Sequence, residues 1–150
     1  MILDSIKVIG SVEITHYDEN MVIKDLIHIN NLVVQTGKNL IASRLSGNLA
    51  QPISHMAVGS SAAITTIDTL SLGQQVGIKV VMDTLGGTVI DNEITFATTF
   101  VAGVCTGDLR EIGLFNSAEG TGTMLSRTTF PKVSKQSADT LIVSWKITIL

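Results

Sequence analysis

Hydrophobic and polar residues alternate along most of the chain, and a period of two is the pattern of a half-buried β-strand. The alternation is strongest in residues 140–150. One face of this segment is predicted to carry Leu141, Val143, Trp145, Ile147 and Ile149. The same criterion predicts strands at residues 6–15, 21–29, 32–34, 53–58, 76–84, 88–101, 109–115, 123–130 and 140–150.

Turn-forming residues separate these strands and indicate how they connect. Residues 16–20 form a polar turn, so the first two strands are predicted to be a hairpin. Residues 85–87 (Leu-Gly-Gly) are predicted to join residues 76–84 to residues 88–101 as a second hairpin, because glycine adopts the positive φ angles of tight turns. Connecting segments are predicted at residues 30–31, 62–75, 103–108, 116–122 and 131–139.

One segment, residues 37–46, has the pattern of a helix. Thr36 is a candidate N-cap, and Gly47 stands at the position where glycine commonly ends a helix. The apolar stripe is predicted to contain Leu40, Ile41 and Leu45. Such a short helix is marginal in isolation, so it is expected to cover one end or one face of a sheet.

These elements predict a mainly β protein in which residues 1–150 form a single-domain antiparallel β-sandwich, with jelly-roll-like connectivity as one option. The one short α-helix lies near residues 37–46. Residues 1–5 are a candidate N-terminal arm, whose apolar Met1, Ile2 and Leu3 could reach a neighbouring subunit by strand addition. The alternative is that these residues simply begin the first strand.

Composition agrees with a β protein and raises a question about its surface. Ile, Val and Thr make up about a third of the 150 residues, and these β-branched side chains suit a pleated sheet. Hydrophobic residues account for 45% of the chain, which excludes intrinsic disorder. Charged residues account for only 15%, against roughly 25% in ordinary soluble domains. We therefore expect subunit or partner contacts to cover part of the surface.

Several classes of protein are disfavoured by the sequence. Residues 21–34, the longest apolar candidate, are interrupted by charged and polar residues, so no membrane span is predicted. The sequence begins without the pattern of a secretion signal. Cys105 is the single cysteine, so no disulfide is expected and a reducing compartment is favoured. Ten scattered Lys and Arg residues and a pI near 5.5 argue against nucleic-acid binding.

No pattern of catalytic, metal-binding or cofactor-binding residues emerges. His16, His28 and His55 have no ligand-type neighbours at metal-binding spacing. Arg110 and Glu111 are interpreted as a surface pair or a subunit contact. The glycines do not follow a strand and open a helix, as phosphate-binding loops do. We therefore predict no enzymatic activity and no cofactor.

Three parts of the chain carry a resemblance to a known family. The first is residues 31–45, NLVVQTGKNLIASRL. The second is residues 55–60, HMAVGS, followed by a loop rich in Ala and Thr and by residues 68–73, DTLSLG. The third comprises residues 111–116 (EIGLFN), 122–130 (GTMLSRTTF) and 139–149 (DTLIVSWKITI). In order and spacing they resemble small structural proteins of tailed-bacteriophage virions, and the resemblance covers most of the chain from Asn31.

The resemblance implies a virion component with a β-sandwich fold, no catalytic residues and a homotrimeric state. Capsid decoration (cement) proteins and domains of tail or head fibres are both similar. It also implies structural roles for the residues of its motifs, such as core volume for the aromatic residues and a turn cap for the asparagine. Those motif residues are Gly113, Leu114, Phe115, Asn116 and Trp145.

The leading hypothesis is a trimeric cement protein, made in the host cytoplasm, that binds the major capsid protein on the outer surface of a phage head. The alternative is a tail-associated protein, such as a short fibre, a collar or baseplate adaptor, or a receptor-binding module. Fibres are expected to carry repeats or coiled-coil extensions, which this chain lacks. A sugar-binding domain is disfavoured by the scarcity of aromatic residues, which form 4% of the chain.

Overall fold

Nine strands and one helix form the regular structure of the described residues, which are 4–48, 50–118 and 122–150 of the computed structural model. The first elements in the chain are β1 (Val8–Tyr17), β2 (Ile23–Val33), α1 (Gln35–Leu45), β3 (His55–Gly59) and β4 (Gln75–Val81). The remaining strands are β5 (Thr88–Ile90), β6 (Glu93–Phe100), β7 (Gly107–Phe115), β8 (Met124–Lys135) and β9 (Thr140–Ile149).

The strands form one curled antiparallel sheet in the order β4-β3-β7-β8-β2-β1-β9-β6-β5. Strand β2 joins its two halves, because most of β2 pairs with β1 whereas Leu32 and Val33 pair with β8. The first half-sheet (β1, β2, β5, β6, β9) and the second half-sheet (β3, β4, β7, β8) enclose a common hydrophobic core. The predicted fold class, a mainly β antiparallel sandwich with one short helix, is confirmed.

Strand β9 follows the predicted alternation through most of its length. Leu141, Val143, Trp145 and Ile147 point into the core and are almost completely buried. Ile149, the last residue of this face, lines a cavity together with Ile147 but is 39% exposed. Ile149 pairs with Val8 at the start of β1, where the sheet margin leaves both residues partly open to solvent.

The predicted hairpin across residues 85–87 is wrong, although the turn itself is present. Strand β4 pairs with β3, and β5 pairs with β6 across a turn at Asp91 and Asn92. Residues 85–87 instead carry the chain from the second half-sheet to the first, and Gly86 and Gly87 have φ angles of 76° and 70°. Alternation identifies strands, but it carries no information about which strands pair.

Two predicted strand boundaries are also wrong: the break at residues 30–31 is absent, and the connection at residues 131–139 shortens to residues 136–139. Residues 32–34 are not a separate strand, because β2 continues through Asn30 and Asn31 to Val33. Strand β8 likewise passes through Pro131, where loop was predicted, and reaches Lys135. The register between β7 and β8 shifts close to this proline. Proline is tolerated at such an irregularity because the ladder there does not require its missing N–H group.

Helix α1 begins two residues earlier than predicted. Its N-cap is Val34, which provides no side-chain cap, and Thr36 instead donates a hydrogen bond to the carbonyl oxygen of Met124 at 2.9 Å. Leu40 is buried as predicted, whereas Leu45 is 85% exposed. Gly37 lies so close to the backbone of Leu125 that a side chain there would collide with it, so the helix packs tightly against β8.

Candidate functional site

A long irregular segment, residues 60–74, crosses the outer face of the second half-sheet, and we call it the strap. The strap is held by Glu111, a completely buried residue of β7. One carboxylate oxygen of Glu111 accepts hydrogen bonds from the backbone N–H groups of Ser61 and Gln74, at 3.2 and 2.7 Å. The other accepts the N–H of Gly73 at 2.8 Å. A single carboxylate therefore fastens both ends of the strap.

Arg127 of β8 completes this arrangement, and we call the pair of Glu111 and Arg127 the clamp. The Nη2 and Nε atoms of Arg127 lie 2.7 and 2.9 Å from the Glu111 carboxylate. Its Nη1 atom donates to the carbonyl oxygen of Ala63 at 2.8 Å and to the hydroxyl of Thr65 at 2.7 Å. Both charged side chains are buried, and each forms hydrogen bonds with the strap and with the other member of the clamp.

The ionised form of Glu111 is favoured in spite of its burial. Burial alone would raise the pKa of this carboxyl group. The N–H groups of Gln74 and Gly73, together with Arg127, outweigh burial and lower the pKa below its ordinary value. The clamp is therefore a charged pair in which most donors and acceptors have hydrogen-bonding partners.

The alternating faces of β7 explain why this carboxylate lies under the strap. Ile112 and Leu114 point into the main core, whereas Glu111 and Phe115 lie on the opposite face. Gly113 shares that face, where a side chain would crowd Phe115 and Leu72, the buried leucine of the strap. Gly59 similarly leaves room for the Glu111 carboxylate and the carbonyl of Gln74.

The interpretation of Arg110 and Glu111 as a surface pair or a subunit contact is wrong for Glu111. Its partner is Arg127, which lies 16 residues away in sequence and one strand away in the sheet. The available signal was the acidic residue on an otherwise apolar strand face. Identifying its partner also requires the β7–β8 register, which the sequence pattern does not contain.

The motif residues of the family resemblance occupy separate structural positions. Leu114 lies in the main core, and Phe115 lies in a smaller buried cluster with its ring 4.5 Å from Lys79 Nζ. Asn116 accepts the N–H of Thr123 at 2.7 Å. The indole N–H of Trp145 donates to Asn31 at 3.0 Å. The remaining predicted contact residues, Met1, Ile2 and Leu3, lie outside the described residues.

A second, partly buried group of titratable side chains, which we call the quartet, lies at the end of the β1–β9 pairing where Tyr17 faces Thr140. It consists of His16, Lys24, Asp25 and Asp139. The two ring nitrogens of His16 lie 2.9 Å from Asp25 and 2.8 Å from Asp139. Lys24 also reaches Asp139, at 3.0 Å. Ionised carboxylates only accept hydrogen bonds, so both His16 contacts are hydrogen bonds when both ring nitrogens carry protons.

The environment of Asp139 favours its charged form. Burial of this side chain would raise its pKa, but the backbone N–H of Gln136, His16 and Lys24 together hold the pKa well below the ordinary aspartate value. Its side-chain partners His16 and Lys24 come from β1 and β2, whereas Asp139 directly precedes β9. The quartet therefore fastens the β1–β2 hairpin to the turn before β9.

Three neighbouring cavities of about 380, 410 and 470 Å³ surround Val8 and the side of α1. Together they form what we call the helix-end groove. Its walls include apolar residues such as Ile41, Leu45 and Ile149. The charged residues that line the three cavities are all basic: Lys7, Lys38 and Arg44.

Large apolar side chains are exposed at several places on the described surface. The two edge strands carry four of them, and exposed edges are sites where a further strand or another molecule can pair. Others lie on the strap, on the helix and on β2. The edge-strand residues are Ile78, Val81, Val89 and Ile90, and the others include Ile23, Leu26, Leu45, Ile64 and Leu70.

The remaining candidates from the sequence do not assemble into a reactive site. His28 lies on β2 and His55 opens β3, where burial and nearby Lys79 lower the pKa of His55. Cys105 is buried, and burial raises the pKa of its thiol. In the three described ranges, no group of three or more His, Cys, Asp or Glu residues is arranged to hold a metal ion.

Comparisons with known proteins identify no relative. No family model matches the chain, and neither does any curated protein or any solved structure. Within the described part of the chain, no helix has the length and apolar character needed to cross a membrane.

Proposed function

We propose that this protein is a non-enzymatic structural component of a tailed-bacteriophage virion, and that it is a trimeric decoration (cement) protein of the capsid. The observation that carries the proposal is the exposed apolar surface. Ile64, Leu70 and Leu45 are 85%, 67% and 85% exposed in a chain with only 15% charged residues. Exposed apolar patches of more than a few hundred Å² are typical of interaction sites.

The segments that resemble virion proteins contain the two residues that hold the strap, which supports the proposal. Glu111 and Arg127 both fall within these segments, and together they hold the strap. A loop fixed in advance loses little conformational entropy when it binds a partner. The strap is therefore well suited to present Ile64 and Leu70 as a contact surface.

A cement protein would act through differential binding. It would bridge neighbouring capsomers of the major capsid protein on the outer head surface after synthesis in the host cytoplasm. If it binds the mature lattice and not its precursor or its disassembled subunits, mass action stabilises the mature lattice. This mechanism requires rigid contact surfaces and no chemistry.

Head binding provides the direct test. Purified protein is mixed with expanded heads of a phage that encodes it, after removal of their own decoration protein, and sedimented at increasing concentrations. Saturable cosedimentation is expected, together with an increase in the temperature at which the heads disrupt. Unexpanded heads from the same phage serve as the control and are expected to bind less.

The same assay can contradict the proposal. Isolated tails and host cells are included as competing targets. Binding to tails or cells without binding to heads would replace the cement function with the tail-associated alternative. Binding to none of these targets would overturn the virion proposal as a whole.

A further inference from the structure

Two surfaces of the described chain are complementary in charge and in apolar character. The strap, residues 60–74, contains one charged residue, Asp68, which is exposed between Ile64 and Leu70. The helix-end groove is largely apolar, and the charged residues that line its cavities are basic. A strap with exposed apolar residues and one acidic residue, and a groove with apolar walls and basic residues, thus occur on one molecule.

The strap is rigid enough to act as a ridge. Its two ends are fixed by the clamp, and its middle is fixed by a hydrogen bond from the N–H of Gln35 to the carbonyl of Ile67 at 2.8 Å. A local turn adds a bond from Thr69 N–H to the carbonyl of Thr66 at 3.1 Å. Leu72 points into a buried cluster, whereas Leu70 is exposed to solvent.

The groove has the corresponding features. Lys38 lines two of the three cavities, and Lys7 lines one of them together with it. Both lysines are exposed at the rim. The apolar wall between α1 and the strand ends can bury an aliphatic side chain, while the lysines neutralise a nearby carboxylate.

We propose that the strap of one copy docks in the helix-end groove of a second copy, with Asp68 facing Lys38 and Lys7. The two patches differ, so the contact is heterologous, and contacts of this kind close into rings when the rotation between subunits permits. A ring of three would cover every strap and every groove. This inference rests on the proposed function for its trimeric state and assigns the surfaces that would form it.

The first test measures oligomeric mass by sedimentation equilibrium, with circular dichroism as a check of folding. The wild-type protein is expected to be a trimer. Leu70→Asp is expected to raise the dissociation constant at least about a hundredfold, because it places a charge in an apolar contact. Leu26→Asp is the matched control, since Leu26 is 63% exposed, against 67% for Leu70, and lies on β2 outside both surfaces. It is expected to remain trimeric.

A charge exchange tests the pairing of the two surfaces directly. Asp68→Lys and Lys38→Glu are each expected to weaken association about tenfold, and the double variant is expected to associate more tightly than either single variant. Both positions are exposed, so the variants are expected to fold normally. Two single effects that simply add in the double variant would overturn the proposed contact.

Other outcomes would also overturn it, and they separate this inference from the proposed function. A wild-type monomer at high concentration, or equal dissociation of Leu26→Asp and Leu70→Asp, would exclude the strap as a specific subunit contact. If the Leu70→Asp variant remains trimeric but no longer binds heads, the strap contacts the capsid and not a neighbouring subunit. Head binding by the wild-type protein would preserve the proposed decoration function in each of these cases, although a wild-type monomer would contradict its trimeric state.

Discussion

The clamp and the quartet both place charged side chains inside the protein, but they differ in their access to water. Glu111 and Arg127 of the clamp are 0% and 2% exposed. In the quartet His16 and Asp139 are buried, whereas the side chains of Lys24 and Asp25 are 38% and 48% exposed. Water can therefore replace part of a lost interaction in the quartet, but not in the clamp.

The two networks also differ in what they fasten. The clamp holds the strap, which has no strand ladder to satisfy its backbone, and supplies partners for the N–H groups of Gly73 and Gln74. The quartet links elements that are already paired, since His16 and Asp25 face each other in the β1–β2 ladder. The stabilisation that a buried charge provides therefore depends on how many backbone groups have no other hydrogen-bonding partner.

The largest effect is expected when the clamp loses its negative charge. Glu111→Gln leaves Arg127 buried without a counter-ion, and removal of one partner of a buried pair costs about 3–5 kcal/mol. The free energy of unfolding from urea denaturation measures this loss. Glu13→Gln, an exposed glutamate on β1, is the matched control and is expected to change stability by less than about 0.5 kcal/mol.

A second readout of the same variant reports on the strap itself. Thermolysin is expected to cut Glu111→Gln within residues 60–74, near Ile64 or Leu70, under conditions in which the wild-type strap resists cleavage. Equal resistance in the two proteins, with a loss of stability below about 1 kcal/mol, would show that the clamp does not hold the strap.

A smaller loss is expected from the quartet. His16→Leu removes a buried hydrogen-bonding partner, but Asp139 keeps Lys24 and the N–H of Gln136, and Asp25 can turn to water. We expect a cost of about 2–3 kcal/mol, measured by the same denaturation experiment. His28→Leu, an exposed change on the neighbouring strand, should have little effect. A cost as large as that of Glu111→Gln would remove the distinction between the two networks.

The sequence pattern predicted the strands well and the contacts between distant residues poorly. The alternation of β9 identified Leu141 to Ile147 as an inward face because one strand alone determines that pattern. The clamp joins β7 to β8 and to the strap, so its recognition needs strand register and loop path together. The same limitation explains the incorrect hairpin at residues 85–87, where a genuine glycine turn joins strands of different half-sheets.

The contribution of the Asp139 charge to the free energy of unfolding should be lost at low pH. Its pKa in the folded state is lowered, so its stabilising effect is complete above the unfolded-state pKa of about 3.9 and is lost as the pH falls below that value. Asp139→Asn is expected to cost about 1–2 kcal/mol at pH 7.

The difference between this variant and the wild type should decrease between about pH 4 and pH 2, and denaturation at a series of pH values measures it. Glu111 contributes to acid sensitivity in the same direction, because its folded-state pKa is also lowered. Glu111→Gln is therefore measured in parallel. A difference between Asp139→Asn and the wild type that stays constant from pH 7 to pH 2 would contradict the assigned role of the charge.

The smallest change in stability is expected from substitution of Lys24, which is partly exposed to water and also contacts a buried residue. Its ammonium group lies partly in water but contacts a buried carboxylate, so Lys24→Met should cost less than about 1 kcal/mol.

Lys132→Met is the control, because Lys132 and Asp108 form a pair at 3.8 Å in which both side chains are exposed. Salt screens exposed pairs more strongly than pairs with a buried member. In 1 M NaCl the effect of Lys132→Met should disappear while that of Lys24→Met persists. Equal loss of both effects would mean that solvent reaches Asp139 as freely as it reaches Asp108, and the quartet would then be a surface network.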